Sequence, residues 1–217
     1  IVFGDWSSDV CSSDLAMTLP LAVASLSADV GSVPDSADRA LYPRSVVSRG
    51  DLRRLRRVLA RAQQGEPITL GVIGGSITQG AAASRPERRY GNQLAAWLQA
   101  AFPASAVAFV NAGIGATGSN YGALRAGRDL LGRRPDLVVV EYAVNDGNTP
   151  GSAETLEGLV RQILSQPNRP AVVLLFTMHR QGNNAQEWHG KVGAHYGLPM
   201  ISFRDAFWPE IEAGRLA

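Results

Sequence analysis

The sequence predicts an α/β domain built on a parallel sheet with helices on both faces, and three observations carry that expectation. From Glu66 onward, short continuous apolar runs alternate with longer amphipathic stretches. That pattern belongs to strands buried on both sides and separated by helices. The 217 residues suit one such domain with a sizeable core. Charge is sparse and nearly balanced, 21 Lys and Arg against 19 Asp and Glu, which argues against a dedicated nucleic-acid binder with its concentrated basic face.

The elements follow in order. ITLGVI (68–73) is an unbroken apolar run and reads as the first strand, followed by a helix with Tyr90, Leu94, Trp97 and Leu98 on one face. AVAFV (106–110) is the second strand, and a helix runs on through Tyr121 to Leu131. LVVVEY (137–142) is the third, followed by a helix carrying Leu156, Leu159, Val160, Ile163 and Leu164. AVVLLF (171–176) is the fourth, and a helix near Ala185–Tyr196 precedes a short fifth strand, PMIS (199–202). Ahead of them, Leu52, Leu55, Val58 and Leu59 recur at helical spacing among Arg53, Arg54, Arg56, Arg57 and Arg61, with Gly65 as a stop signal. A helix that buries its leucines and solvates its arginines explains this run; the alternative is a helix lying on a membrane surface. There is no internal repeat and no transmembrane span, so stable membrane insertion is not expected.

The first 47 residues are set apart. Asp5 to Leu15, DWSSDVCSSDL, looks like a translated frame of a sequencing adaptor, and residues 1–15 are read as an artefact rather than fold. A disordered native start is the alternative. On the first reading Cys11, the only cysteine, supports no disulfide or metal inference, and omitting Asp5, Asp9 and Asp14 raises the formal charge from +2 to +5. Residues 16–28, AMTLPLAVASLSA, resemble the tail of a bacterial secretory signal, or else an apolar linker. The run is too short to span a bilayer. Secretion or a periplasmic location is the expectation, with the cytoplasm as the alternative. Residues 29–47, rich in Ser, Asp and Pro, read as a linker or lead-in, and the domain proper as 48–217.

Parallel strands bring their carboxyl ends to one edge, where such folds bind ligands. The first strand runs into Gly74-Gly75-Ser76-Ile77-Thr78, the second into Asn111-Ala112-Gly113-Ile114-Gly115-Ala116-Thr117-Gly118, and the third into Ala143-Val144-Asn145-Asp146-Gly147. A hydroxyl, a small-residue turn and a carboxamide are therefore expected on one edge.

These blocks resemble those of GDSL/SGNH esterases: GGSIT is similar to the GDSL block, NAGIGATG to the glycine block and AVND to the G-x-N-D block, in the family's order across residues 66–205. The resemblance implies a three-layer α/β/α sandwich with a parallel, flavodoxin-like central sheet. It also implies a serine esterase acting without metal or cofactor through an acyl-serine intermediate. Ser76 matches the nucleophile, which needs an adjacent base because a serine hydroxyl is a poor nucleophile at neutral pH. The Ser76 N–H, the N–H near Ala116 and the Asn145 side chain match the donors that meet the developing oxyanion. Gly75, Gly115, Asp146 and His179 are candidates for lining the substrate site, with Asp146 alternatively bracing its loop. Arg88, Arg89 and Tyr90 follow the nucleophile loop and could meet substrate hydroxyls or simply start the helix. The substrates implied are small acyl esters or acylated carbohydrates, acetyl esters foremost, with no nucleic-acid partner.

Three departures from the family pattern stand out. Gly75 replaces the aspartate of GDSL, and Thr78 is a candidate to hold the turn instead. Ala116 occupies the position aligned with the family's oxyanion glycine. No D-x-x-H is present, since no aspartate lies three residues before His179, His189 or His195, and Asp205 is followed by Ala206, Phe207 and Trp208. The catalytic Asp and His are accordingly expected beyond residue 217, and the 217 residues alone are expected to hydrolyse little. Of the histidines, His195 is expected on the apolar face of its helix and His189 on the solvated side. His179 follows the fourth strand at the functional edge.

Other readings compete. Gly113-Ile114-Gly115-Ala116-Thr117-Gly118 is a formal G-x-G-x-x-G, with Glu141 near where a ribose-binding acid would sit, so a nucleotide-binding domain is one rival. It leaves Ser76 and Asn145 without a task. A non-catalytic carbohydrate-binding domain and a glycan O-acyltransferase of the same fold are the others. Trp188 and Trp208 are candidates to stack on sugar rings or to pack in the core.

Overall fold

The computed structural model describes residues 41–216. The readings of residues 1–15 and 16–28, and of 29–40 in the lead-in, lie outside the described residues. Structure begins ahead of residue 48, because 41–45 are helical and strand β1 (Val46–Ser48) follows.

Among the described residues, six strands form one sheet in the order β1-β6-β5-β4-β2-β3. The five strands anticipated from apolar runs are β2 (Ile68–Gly74), β3 (Val107–Gly113), β4 (Leu137–Glu141), β5 (Ala171–Phe176) and β6 (Met200–Ser202). All five are mutually parallel. β1 joins antiparallel at the edge, pairing Val46 with Ile201. β3 extends beyond the apolar run 106–110 as far as Gly113, because its ladder with β2 continues to the Gly74–Gly113 pair. Three small or polar residues there conceal a strand end that hydrogen bonding defines.

Helices α1 (Arg53–Gln63), α2 (Ser76–Gln79), α3 (Tyr90–Ala101), α4 (Ser119–Asp129), α5 (Pro150–Leu164), α6 (Gln186–His195) and α7 (Phe203–Glu212) complete the described elements with two short 3₁₀ turns. The core divides across the sheet, as a doubly covered sheet requires. On one face Leu156, Leu159 and Ile163 of α5 pack on Val138, Val140 and Leu174; on the other, Leu55, Val58 and Leu59 of α1 and Leu94 and Leu98 of α3 pack on Leu70, Val72 and Val139. This is the expected α/β/α sandwich.

The arginine-rich helix α1 buries its leucines as expected. Its cations do more than face solvent. Arg54 donates to the carbonyls of Leu164 and Pro170, and Arg57 to that of Asn168. Orphan carbonyls past the end of α5 thus find their partners. Helix α7 was not anticipated. Its signal was Ser202 followed three residues later by Asp205: the Ser202 Oγ accepts the Asp205 N–H at 2.9 Å, an N-cap arrangement. No described helix is long and apolar enough to cross a membrane.

Because β2 is followed by β3 on one side and β4 lies on its other side, the chain reverses direction across the sheet between β2 and β4. The carboxyl ends at such a switch point form a crevice, and Ser76 and Asn145 flank it.

Candidate active site

Ser76 opens the one-turn helix α2 immediately after β2, with Gly75 between them. The turn closes through the Gln79 N–H to Gly75 C=O bond at 3.0 Å and the Gly80 N–H to Ser76 C=O bond at 2.9 Å. Ser76 is half-buried at the sheet edge. Thr78, two residues on, is buried; its Oγ1 donates to Glu141 Oε2 at 3.1 Å and shares a 2.9 Å hydrogen bond with the Tyr90 hydroxyl. Burial, with the Glu141 charge nearby, pushes the Tyr90 phenol far above its ordinary pKa.

The small-residue turn is stitched onto this one. Asn111 Nδ2 donates to Thr78 C=O at 2.9 Å, and the Ile114 N–H donates to Gly74 C=O at 3.1 Å. The Gly115 N–H donates to Gln79 Oε1 at 2.9 Å, and a Cβ at Gly115 would stand 3.8 Å from Ser76 Cβ. Ala116 is left-handed, at φ 57°. That region penalises any residue with a Cβ, which gives a glycine at this position its physical advantage.

Asn145 closes the group from the end of β4. Its Oδ1 is buried without a hydrogen-bond partner. It lies 1.9 Å from where a Gly75 Cβ would stand. Gly75 is therefore bare because the carboxamide occupies its side-chain space, and the aspartate of a GDSL block does not fit this arrangement. With Oδ1 turned inward, Nδ2 is the end of the side chain that remains to donate outward.

Asp146 faces inward. Its Oδ1 accepts the Ser119 N–H at 2.8 Å and its Oδ2 pairs with His189 Nε2 at 3.1 Å. Side-chain exposures are only 6% for Asp146 and 2% for His189. The carboxylate thus binds the Asn145 loop to the first turn of α4 and to α6. The expectation that His189 is solvated was incorrect. So was the expectation that His195 sits on the buried face: His195 is exposed, edge-on to Tyr196 at 4.7 Å. Helix α6 is rotated to bury Gln186, His189, Val192 and Gly193. Polar side chains can occupy that face because each finds a partner there. Gln186 Nε2 reaches Asp205 Oδ2 at 2.6 Å and its Oε1 accepts from Ser202 Oγ at 2.6 Å.

His179 is exposed on the loop after β5. None of the three histidines hydrogen-bonds Ser76 among the described residues. Glu141 is fully buried and bonded to threonines, so it cannot reach a ribose as the nucleotide reading requires. Arg125 escaped notice inside the α4 pattern. It is 4% exposed and donates to Gly74 C=O at 3.2 Å and to the Tyr142 hydroxyl at 2.9 Å. Burial pushes the Tyr142 phenol up to about 12, against the lowering influence of Arg125. Trp188 is half-buried, with Lys191 Nζ 3.4 Å from its ring centroid, and Trp208 packs across the Gly182 backbone.

A cavity of about 370 Å³ opens beside Asn145, lined by Gly118, Asn120, Asp146, Thr149 and Ser152 among others. Ser76 is not among its lining residues, so the cavity adjoins the carboxamide side of the crevice. Among the described residues no three His, Cys, Asp or Glu side chains gather as a metal site.

Comparison with known proteins adds to this geometry. A model of the GDSL-like lipase/acylhydrolase family matches residues 72–215. No curated protein matches the chain. Among solved structures, a two-domain esterase active on acetylated mannans, co-crystallised with mannopentaose, superposes with a TM-score of 0.80 at 41% identity over 81% of this chain. The chain spans about half of that esterase, 48% of its length. A lipase/acylhydrolase from Enterococcus faecalis (24% identity, TM-score 0.51, 65% of this chain, 79% of that one) shares the fold. So does an acetyl xylan esterase (19%, 0.53, 68% of this chain, 83% of that one).

Proposed function

The chain belongs to the GDSL-like lipase/acylhydrolase family, and from that premise we propose that it is a serine esterase removing short acyl groups, acetyl foremost, from carbohydrate. The single observation that carries the reading is the meeting of three strand ends. The Ser76 turn, the Gly115–Ala116 turn and the Asn145 carboxamide lie side by side, with Gly115 against Ser76 and Asn145 against Gly75. In the proposed reaction Ser76 Oγ attacks the ester carbonyl and its proton passes to a general base. The alcohol leaves with a proton as the carbon–oxygen bond breaks, and water then releases the acid from the acyl-serine.

Charge on the carbonyl oxygen rises in both steps, and the proposed donors are the Ser76 N–H, the N–H at Ala116 and Asn145 Nδ2. His189 is committed to Asp146, and the base is not assigned to it, to His179 or to His195. The polar lining of the cavity beside Asn145, made of carboxamides, hydroxyls and the Asp146 carboxyl, suits a hydroxyl-rich alcohol portion better than a long acyl chain. The resemblance to an esterase active on acetylated mannans supports the same substrate class. A polymeric glycan would be met outside the cytoplasm, in keeping with the apolar run at 16–28.

The test is acetate release from acetylated manno-oligosaccharide by the full-length protein and its Ser76→Ala variant. Release abolished in the variant is the expected result. Equal release from both, or none from the parent on any acyl ester, overturns the proposal.

A further inference from the structure

Glu141 is a buried acid that the proposed chemistry does not use. It ends β4 after four apolar residues, Leu137 to Val140, where a doubly covered strand would ordinarily continue apolar. Its exposure is 0%. Oε2 accepts from Thr78 Oγ1 at 3.1 Å, Oε1 accepts from Thr177 Oγ1 at 2.6 Å, and the Val144 N–H also donates to the carboxyl. The Tyr90 hydroxyl extends the chain through Thr78 at 2.9 Å. One carboxyl group therefore joins the turn after β2, the loop after β4 and the end of β5.

No cation pairs with it among the described residues, and Asp146 nearby has the same sign. Burial raises its pKa, while the two threonine hydroxyls and the Val144 N–H act the other way. An unpaired buried acid costs stability and is not needed to fill space. The turn above it is closed by backbone hydrogen bonds, but the two glycines that lead into it carry no side chain to anchor it. A side chain on Gly75 would meet Asn145 Oδ1 at 1.9 Å, and one on Gly74 would meet Thr78 Oγ1 at 2.1 Å. Thr78, two residues after Ser76, is buried, and its hydroxyl reaches Glu141 and the Tyr90 hydroxyl.

We propose that Glu141 is a positioning residue for the nucleophile turn, holding Ser76 in register with Asn145 through Thr78 on one side and the Val144 N–H on the other. Its kinetic consequence rests on the esterase reading; its structural consequence does not.

The experiment uses Thr78→Val, Thr78→Ser and Glu141→Leu in the full-length protein. The first readout is amide hydrogen exchange at Gln79, Gly80 and Ala81, whose acceptors are the Gly75 and Ser76 carbonyls, alongside Tm. The second is kcat and KM for hydrolysis of p-nitrophenyl acetate. Thr78→Val and Glu141→Leu are expected to speed exchange at those amides by about tenfold or more, with β4 and β5 amides unchanged. They are also expected to lower kcat by a similar factor at nearly constant KM, and Thr78→Ser is expected to restore both. Unchanged exchange at the turn overturns the proposal, as does a uniform rise tracking a lower Tm, or failure of Thr78→Ser to rescue. Absence of Ser76-dependent turnover in the parent would instead overturn the esterase reading, while the exchange data still decide the role of Glu141.

Discussion

Adding one methyl group at Gly75 tests the geometry of the site more sharply than removing any side chain. A Cβ there would lie 1.9 Å from Asn145 Oδ1, 2.6 Å from Cγ and 3.2 Å from Nδ2. Real Cβ contacts are not found below 3.0 Å, so the carboxamide must retreat by about an ångström. Gly75 has φ −86°, outside the left-handed region. The penalty in Gly75→Ala is steric, and overpacking of this kind costs about 1–3 kcal/mol. If Asn145 Nδ2 serves the oxyanion, displacing it also lowers kcat by about 10²–10³-fold, the usual effect of losing one such donor.

Urea unfolding and p-nitrophenyl acetate turnover of Gly75→Ala, Asn145→Ala and the double variant measure both effects. The double variant is expected to recover most of the stability lost in Gly75→Ala, because the clashing group is gone, and to be no slower than Asn145→Ala alone. Such coupling between touching residues is what a double-mutant cycle isolates. A Gly75→Ala protein with parental stability and turnover, or additive losses in the double variant, would refute the packing of Asn145 on Gly75.

Four further outcomes are expected. Asn145→Ala should slow turnover by about 10²–10³-fold with little change in Tm, since its buried Oδ1 has no partner to lose. Ala116→Gly should raise stability by up to about 1 kcal/mol by relieving the left-handed backbone at φ 57°, with the N–H proposed as an oxyanion donor retained and turnover unchanged; denaturant midpoints and kcat check this. His189→Leu should destabilise by about 1.5–3 kcal/mol, the range for a hydrogen bond to a charged group, because the buried Asp146 carboxylate loses a partner while keeping the Ser119 N–H; urea unfolding measures it. Glu141 has a raised folded-state pKa because it is buried, so the folded state binds its proton more tightly than the unfolded chain. Stability then falls as pH rises from about 4.5, the ordinary value, through the raised value, and Glu141→Gln should flatten that limb of the pH–stability curve. An unchanged limb in Glu141→Gln contradicts the shift.

The order of the five parallel strands and of the helices between them was legible in the sequence, because a doubly covered parallel sheet writes itself as unbroken apolar runs such as LVVVEY (137–142) and AVVLLF (171–176); the edge strand β1 and helix α7 were not. Ser76, Ala116 and Asn145 were legible for a related reason. Each lies within a few residues of the end of its strand, and parallel strands deliver those ends to one edge whatever the rest of the chain does. The polar interior was not legible. Periodicity assigned His189 to solvent and His195 to the core, whereas α6 is rotated to bury His189 and expose His195. Residues that pay for burial with a hydrogen bond carry no apolar signature, so only their partners, Asp146 for His189 and Asp205 with Ser202 for Gln186, reveal them.

By itself, then, the sequence determined which side chains stand at the crevice, since local pattern sets strand ends. Only the tertiary structure decided how they are held: Asn145 filling the space that Gly75 leaves, Ala116 in a left-handed turn, and Glu141 beneath Thr78. Those are contacts between residues as much as 70 positions apart (Gly75 to Asn145), and their meaning depends on distances that the pattern of hydrophobicity along a chain does not encode.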